Sequence, residues 1–293
     1  MPRKKKTSDR FIVALVSDMH SGHQLALLNP QTELYDETPM GDIVPYRPQP
    51  SASQKYLWEL YTNCIQQTVD LAGGDNIYLV SLGDETQGDK HKDQLVSDRI
   101  TDQFIIAADN LDPWFGLKNL KMVRLTAGTG AHSFVLGGST VAVSSLLKNK
   151  YPKHDIKMAY HGLIEIDGFT LDYSHHGPHP GSRAWLKGNT ARFYLRDLMM
   201  RAFMQGLVPP KLIARGHYHT PVMETLEVNG YESKLMILPS LTMMNEHARQ
   251  ATRSAHEISN GTAAVEVIRG ELHKIHMFTQ TLDIRTKEVI KNG

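Results

Sequence analysis

The sequence predicts an α/β fold in which two β-sheets pack on one another with helices outside, and three observations carry this. In the first half, short apolar runs alternate with stretches of helical period, as in strand-helix-strand units around a largely parallel sheet. In the second half, strand-like segments follow one another across tight turns and read as a second sheet. Acidic and histidine clusters recur just past the apolar runs, at the strand ends where α/β sheets collect their ligands.

Residues 11–16 are a branched apolar run suited to a strand covered on both faces. Residues 21–50 are polar and Pro-rich with little periodicity, and read as a long loop overhanging the strand ends. Over 53–72, Leu57, Leu60, Tyr61, Cys64, Ile65, Thr68 and Leu71 share one helical face, and Gly73-Gly74 supplies the stop. A second strand is expected over 77–82, a helix over 93–110 stopped by Asp112-Pro113, a third strand over 121–126 and a helix over 139–148. Strands follow over 156–160, 163–166 and 169–173, the last two joined by Asp167-Gly168, a hairpin turn pair. A helix over 190–205 precedes strands at 212–214, 222–227, 235–238, 263–268 and 273–278. The expected organisation is a basic tail at 1–10, one domain over 11–284 with an insertion loop at about 21–50, and a tail at 285–293.

With 293 residues, 41% hydrophobic and 22% charged, the chain has enough apolar material for one large core, and no composition break divides it. A net charge of +1 gives no global attraction to nucleic acid or to an anionic membrane. The run Pro2-Arg3-Lys4-Lys5-Lys6 reads as a solvated tail. The single cysteine, Cys64, cannot form an internal disulfide and reads as a core residue. With no secretory signal and no membrane-spanning stretch, the expected compartment is the cytoplasm.

The chemistry lies in Asp18-Met19-His20, Gly83-Asp84, Gly130-Ala131-His132, His176-Gly177 and Gly216-His217-Tyr218-His219. Strand side chains alternate with a period of two, so Asp18 and His20 are expected to emerge on one side of an extended chain, as are His217 and His219. A carboxylate beside an imidazole suits Mn, Fe or Zn. Asp84 has two oxygens with which to bridge a pair of cations, and Gly216 lets the backbone approach a ligand closely. In His175-His176-Gly177 at least one ring is a candidate ligand, and parity leaves open which. His23, His91, His154, His161, His179, His247, His256, His273 and His276 read as surface or structural residues, with His23 and His179 near enough to the clusters to touch substrate.

Taken in this order, the clusters resemble the motifs of the calcineurin-like metallophosphoesterases, over residues 11–279. The resemblance implies a sandwich of two mixed β-sheets flanked by helices. It also implies two divalent metal ions about 3.5–4 Å apart, with Mn2+ the first choice and Fe, Zn, Co or Ni behind it. Asp18, His20 and His219 would hold the first ion, Asp84 would bridge, and His176 and His217 would hold the second, the His-Gly form favouring His176 over His175. His132 would contact phosphate and assist the leaving group. Hydroxide formed between the two ions would attack phosphorus in line, making the protein a phosphodiesterase, nuclease or phosphatase.

One departure stands out. Where the family has an asparagine ligand this chain has Ala131, followed by Ser133 rather than an acid. Alanine offers no donor, so Thr129 is the expected replacement ligand and the second site is expected to bind weakly. Arg183, Arg192 and Arg196, the last two spaced i, i+4, are candidates for a basic wall against substrate, with DNA, RNA or a nucleotide favoured. A reading of a different class, motivated by Ala131, is a catalytically weakened relative that binds phosphorylated or nucleic-acid partners. A third is a mononuclear metal hydrolase acting on a non-phosphate ester. Retention of Asp18, His20, Asp84, His132, His217 and His219 together favours the enzyme.

Overall fold

A computed structural model of the chain describes residues 9–89, 94–134, 137–181, 183–251 and 255–290. The basic run at 2–6 and His91 lie outside the described residues, as does the side chain of His247. In chain order the elements are β1 (Arg10–Val16), β2 (Leu34–Glu37), β3 (Ile43–Tyr46), α1 (Ala52–Ala72), β4 (Asn76–Ser81), α2 (Ile100–Phe115), β5 (Leu120–Thr126), α3 (Gly138–Lys150) and β6 (Asp155–Ala159). There follow β7 (His161–Ile166), β8 (Phe169–Ser174), α4 (Asn189–Met204), β9 (Leu212–Arg215), β10 (Val222–Val228), β11 (Tyr231–Ile237), α5 (Glu246–Ala251), β12 (Glu257–Ile268) and β13 (Glu271–Asp283).

Both large sheets are mixed. The first runs β13-β12-β1-β4-β5-β6, with β1, β4, β5 and β6 parallel, β12 antiparallel to β1, and β13 antiparallel to β12. The second runs β10-β11-β9-β8-β7, parallel at its centre and antiparallel at both edges. The second half of the chain therefore does not stay in the second sheet, because β6, β12 and β13 complete the first.

Strand alternation sorts the apolar residues into layers. In β1, Phe11, Val13 and Leu15 point between the sheets, where they meet Phe169, Leu171 and Tyr173 of β8 and Leu212 and Ala214 of β9. The intervening Ile12, Ala14 and Val16 pack on Leu57 and Tyr61 of α1 and on Ala107, Leu111 and Trp114 of α2. On the far side, Ala191, Leu195 and Met199 of α4 cover Ile213, Leu235 and Ile237. The result is four layers, helix, sheet, sheet, helix. Each fully buried Leu, Ile or Val contributes roughly 1.5–3 kcal/mol. No helix among the described residues is long and apolar enough to cross a membrane.

Local chemistry explains where the observed elements differ from the expected ones. Helix α1 begins at a capping box: Gln54 N donates to Ser51 Oγ and Ser51 N to Gln54 Oε1. Helix α2 runs through Pro113 instead of stopping before it. The carbonyl that a proline leaves without its intrahelical donor, Asp109 O, accepts instead from Asn29 Nδ2 at 2.9 Å. The expected loop at 21–50 folds back as the hairpin β2-β3, with Leu28, Leu34 and Ile106 forming a small core that Tyr46 joins. Its polar composition hid that pairing. The Asp167-Gly168 turn is as expected, with φ of 49° and 88°.

Candidate metal centre

The candidate ligands leave their strands at the same end of the molecule and then turn sharply. Asp18 and His20 follow β1, Asp84 follows β4, and His217 and His219 follow β9. All five adopt positive φ, 54°, 45°, 50°, 74° and 54°, half of the ten described non-glycine residues that do so. Such conformations cost about 1–3 kcal/mol each and collect at functional sites. Backbone hydrogen bonds hold them: Asp18 N donates to Gly83 O, His20 N to Asp84 O, Leu241 N to Asp18 O and Gly216 N to His175 O, all at 2.9–3.0 Å. The expectation that strand alternation aims these side chains is corrected here. Asp18 and His20 lie beyond the strand in left-handed turns, and His217 and His219 diverge to different clusters.

The first cluster is Asp18, His20 and His219. His219 Nε2 lies 3.1 Å from Asp18 Oδ1 and 3.3 Å from His20 Nε2, and His20 Nε2 lies 3.8 Å from Asp18 Oδ1. The other oxygen, Asp18 Oδ2, accepts from His217 N at 3.0 Å and from Ser17 Oγ, which leaves Oδ1 for a cation. Burial alone would raise the pKa of Asp18, but His219 and His20 outweigh it and hold the group well below the usual carboxylate range. Burial, then His132, holds His20 down at about 4. A Cβ at Gly216 would sit 2.2 Å from Ser17 Oγ and 2.9 Å from Asp18 Oδ2, so the bare glycine is what permits this approach.

The second cluster gathers around Thr129. Its hydroxyl lies 3.1 Å from both Asp84 Oδ2 and His175 Nε2 and 3.2 Å from His217 Nδ1, while its N–H donates to Asp84 Oδ1 at 2.7 Å. His175 Nδ1 donates to Leu82 O at 2.6 Å, which turns Nε2 toward Asp84 Oδ2, 3.0 Å away. Burial pulls the His175 pKa down, but Asp84 outweighs it and raises the group to about 9. His217 is held at about 4, by burial first and then by His175. His176 joins the group from the exposed side, and the donor atoms of His175, His176 and His217 all lie within 4.8 Å of one another. A Cβ at Gly128 would fall 2.0 Å from Asp84 Oδ1.

Asp84 joins the two halves. Its donor atoms group both with those of His20 and His132 and with those of Asp18 and His175. His132 donates from Nδ1–H to Gln87 O, 2.5 Å away, which fixes its ring; the ring lies edge-on to His20 with centroids 4.5 Å apart. Ala131 brings no donor. The residues fit divalent cations: donors ~2.1 Å from one ion stand about 3.0 Å apart at right angles and about 4.2 Å apart across it, and the separations run from 3.0 to 3.3 Å, with His20 to Asp18 at 3.8 Å.

Three residues that the motifs did not flag also shape the site. Ser17 fixes Asp18 as described. Glu85 is buried behind Asp84, accepts from Ser81 Oγ at 2.8 Å and Thr140 Oγ1 at 3.2 Å, and is pushed up to about 7 by burial. Arg215, fully buried one residue before Gly216, pairs with Asp172 at 2.6 Å. No spacing rule marks them, since a Glu after Gly-Asp and an Arg before Gly-His read as exposed. Of the basic candidates, Arg183 lies over the Trp185 ring at 5.8 Å. Arg192 and Arg196 line an open groove of about 500 Å³ on α4 with Phe193, Met200 and Leu226, and no cluster residue shares that groove.

No protein-family model matches the chain, and no curated protein matches it. Among solved structures it is similar to the sulfate thiohydrolase SoxB of Thermus thermophilus in complex with glycerol, at 9% identity and a TM-score of 0.41 over 96% of this chain. The chain spans 58% of that protein. It is also similar to a metallophosphoesterase from Sphaerobacter thermophilus, at 10% identity and a TM-score of 0.32 over 91% of this chain and 87% of that one. Likeness at this level says nothing about activity.

Proposed function

We propose that the protein is a metal-dependent hydrolase of phosphoric esters, of the calcineurin-like metallophosphoesterase kind. The observation that carries this reading is the placement of Asp84 between two clusters of donor atoms, Asp18, His20 and His219 on one side and His175, His176 and His217 on the other. Two divalent cations held there would supply Lewis acidity and an acidified water for attack on phosphorus.

The residues divide that work. Asp18 offers Oδ1 to the first ion because Ser17 and His217 N hold Oδ2. Asp84, whose carboxylate would be shared, is oriented by Thr129, which donates its N–H to Oδ1 and its hydroxyl to Oδ2, the oxygen that also faces His175. His132, with its ring fixed by Nδ1–H on Gln87 O, would hold a proton for the departing oxygen. The Thr129 hydroxyl, amid Asp84, His175 and His217, stands in for the donor that Ala131 lacks.

Nucleic acid or a nucleotide is the substrate class to test first, and Mn2+ the first metal to supply; Arg192 and Arg196 would serve such a strand only beyond the clusters, in the separate groove on α4. The test is hydrolysis of a chromogenic phosphodiester and monoester with added Mn2+, followed by a screen of DNA, RNA, cyclic nucleotides and phosphopeptides. Asp84→Asn is expected to lower turnover by ~10²-fold or more with the fold intact. Wild-type rates in that variant would overturn the assignment. Ala131 favours one second reading, a catalytically weakened binder of phosphorylated partners, and inactivity with every divalent metal would promote it.

A further inference from the structure

Strands β8 and β9 are parallel, and α4 returns the chain between them. The connection from β8 into α4 therefore lies at the end of the sheet where β8 delivers His175 and His176 and β9 delivers His217. A line of rings runs from the second cluster out to that connection. His176 meets His217 with centroids 4.6 Å apart, His217 meets Tyr218 at 4.8 Å, and Tyr218 meets His179, an exposed residue of the connection, at 5.1 Å. Hydrogen bonds close the segment on itself: Gly181 N donates to His179 Nδ1 at 2.9 Å, Leu186 N to Arg183 O at 2.9 Å and Gly188 N to Pro180 O at 2.8 Å. Trp185 stands three residues before Gly188, so its Cα lies within ~11 Å of that closure.

The indole is out of keeping with its size. Trp114 is fully buried and Trp58 half-buried, yet Trp185 is 77% exposed and adds almost nothing to the core. Beside it is a cation, since Arg183 Cζ lies 5.8 Å from the ring centroid. An aromatic face next to a guanidinium suits a base and its adjoining phosphate, because every base has a π-face to stack and arginine takes phosphate oxygens. Arg192 and Arg196 line the separate groove on α4, whereas Arg183 and Trp185 belong to the segment that the ring line joins to the cluster.

We propose that Trp185 and Arg183, with His179 and Tyr218, form a base-binding rim of the site, so that the ester hydrolysed is one that carries a nucleobase, an assignment that rests on the phosphoesterase reading given above. Trp185 stacks on the base and Arg183 neutralises the phosphate next to it. Tyr218 and His179 line the way from there to the donor atoms. A nucleic-acid strand and a free nucleotide both carry this chemistry.

The experiment compares two labelled phosphorothioate strands of equal length, an oligoadenylate and an abasic strand, by fluorescence anisotropy with the full-length protein in Mn2+. Phosphorothioate resists cleavage, and any backbone attraction to the basic run at 2–6 is common to both strands and cancels. Stacking on one indole should make the wild type bind oligoadenylate roughly 5- to 100-fold tighter than the abasic strand. Trp185→Ala is expected to remove most of that difference and Trp185→Phe to keep most of it. The residue is exposed, so both substitutions leave the core packing untouched, and circular dichroism checks the fold. Displacement of the strand by adenosine monophosphate, at concentrations where ribose 5-phosphate does nothing, identifies a free nucleotide as the source; displacement by strands alone identifies nucleic acid. Equal affinity of the wild type for the two strands, no binding of either, or a preference for oligoadenylate that survives Trp185→Ala would overturn the inference, while hydrolysis of the chromogenic ester by the same preparation would leave the hydrolase standing. A wild type that cleaves no phosphoric ester with any divalent metal would sink the hydrolase reading, whatever the strands do.

Discussion

Alanine at Gly216 and alanine at Gly130 are the same chemical change in two of the ligand-bearing motifs, and the structure separates them. At Gly216 the new methyl carbon would lie 2.2 Å from Ser17 Oγ, 2.9 Å from Asp18 Oδ2 and 3.2 Å from Leu82 O, all in a buried site. At Gly130 nothing lies within 4 Å and φ is not in the left-handed region. Overpacking of this kind costs about 1–3 kcal/mol. At ~2 °C per kcal/mol for a chain of this size, Gly216→Ala should lower the melting temperature of the metal-free protein by about 2–6 °C. Because Asp18 must yield, the first cluster should also lose its divalent ion. Gly130→Ala removes backbone freedom from the unfolded chain and should be neutral or stabilising by up to ~1 kcal/mol. Ser17→Ala removes the nearest clash, so the double variant with Gly216→Ala should recover part of the loss, a coupling of about 0.5–3 kcal/mol. Calorimetry on the wild type, the three single variants and the double variant measures this. Indistinguishable behaviour of Gly216→Ala and Gly130→Ala would refute the close-approach reasoning.

Two further predictions concern the scaffold behind the site. Trp114 Nε1 donates to Tyr61 Oη at 2.7 Å with both side chains fully buried, so Tyr61→Phe strands the indole N–H and should cost about 1–3 kcal/mol in urea unfolding. An unchanged midpoint would show that the N–H finds another partner. Asn29→Ala should cost a similar ~1–3 kcal/mol by freeing Asp109 O. In a Pro113→Ala background the new N–H replaces the asparagine, so the same substitution should there cost measurably less; equal losses in both backgrounds would argue against the carbonyl-capping role.

The layers were legible because alternation is a strict rule. Phe11, Val13 and Leu15 had to part from Ile12, Ala14 and Val16, and they do, onto opposite faces of one sheet. The same rule accounts for the burial of His175. Phe169, Leu171 and Tyr173 face the inter-sheet core, and a period of two carries His175 onto that buried face and His176 to the outside. Alternation failed at Asp18 and His20, because a left-handed turn overrides pleating and nothing in Asp-x-His announces one. It also said little about chain order in space. The return of β12 and β13 to the first sheet depends on pairing between residues more than 240 positions apart, such as Phe11 with Val267.

The left-handed turns at Asp18, His20, Asp84, His217 and His219 bear on how damage elsewhere would be felt. Five residues held in unfavourable backbone states act like a drawn bow, kept under tension only while the strands leading into them stay clamped between the two sheets. A slack core beneath β1, β4 or β9 would let these turns relax long before the chain as a whole melted. Substitutions far from any donor atom, at Val13 or Leu212 for example, should therefore be noticed first as leakage of bound ions, at temperatures where the secondary structure is still complete.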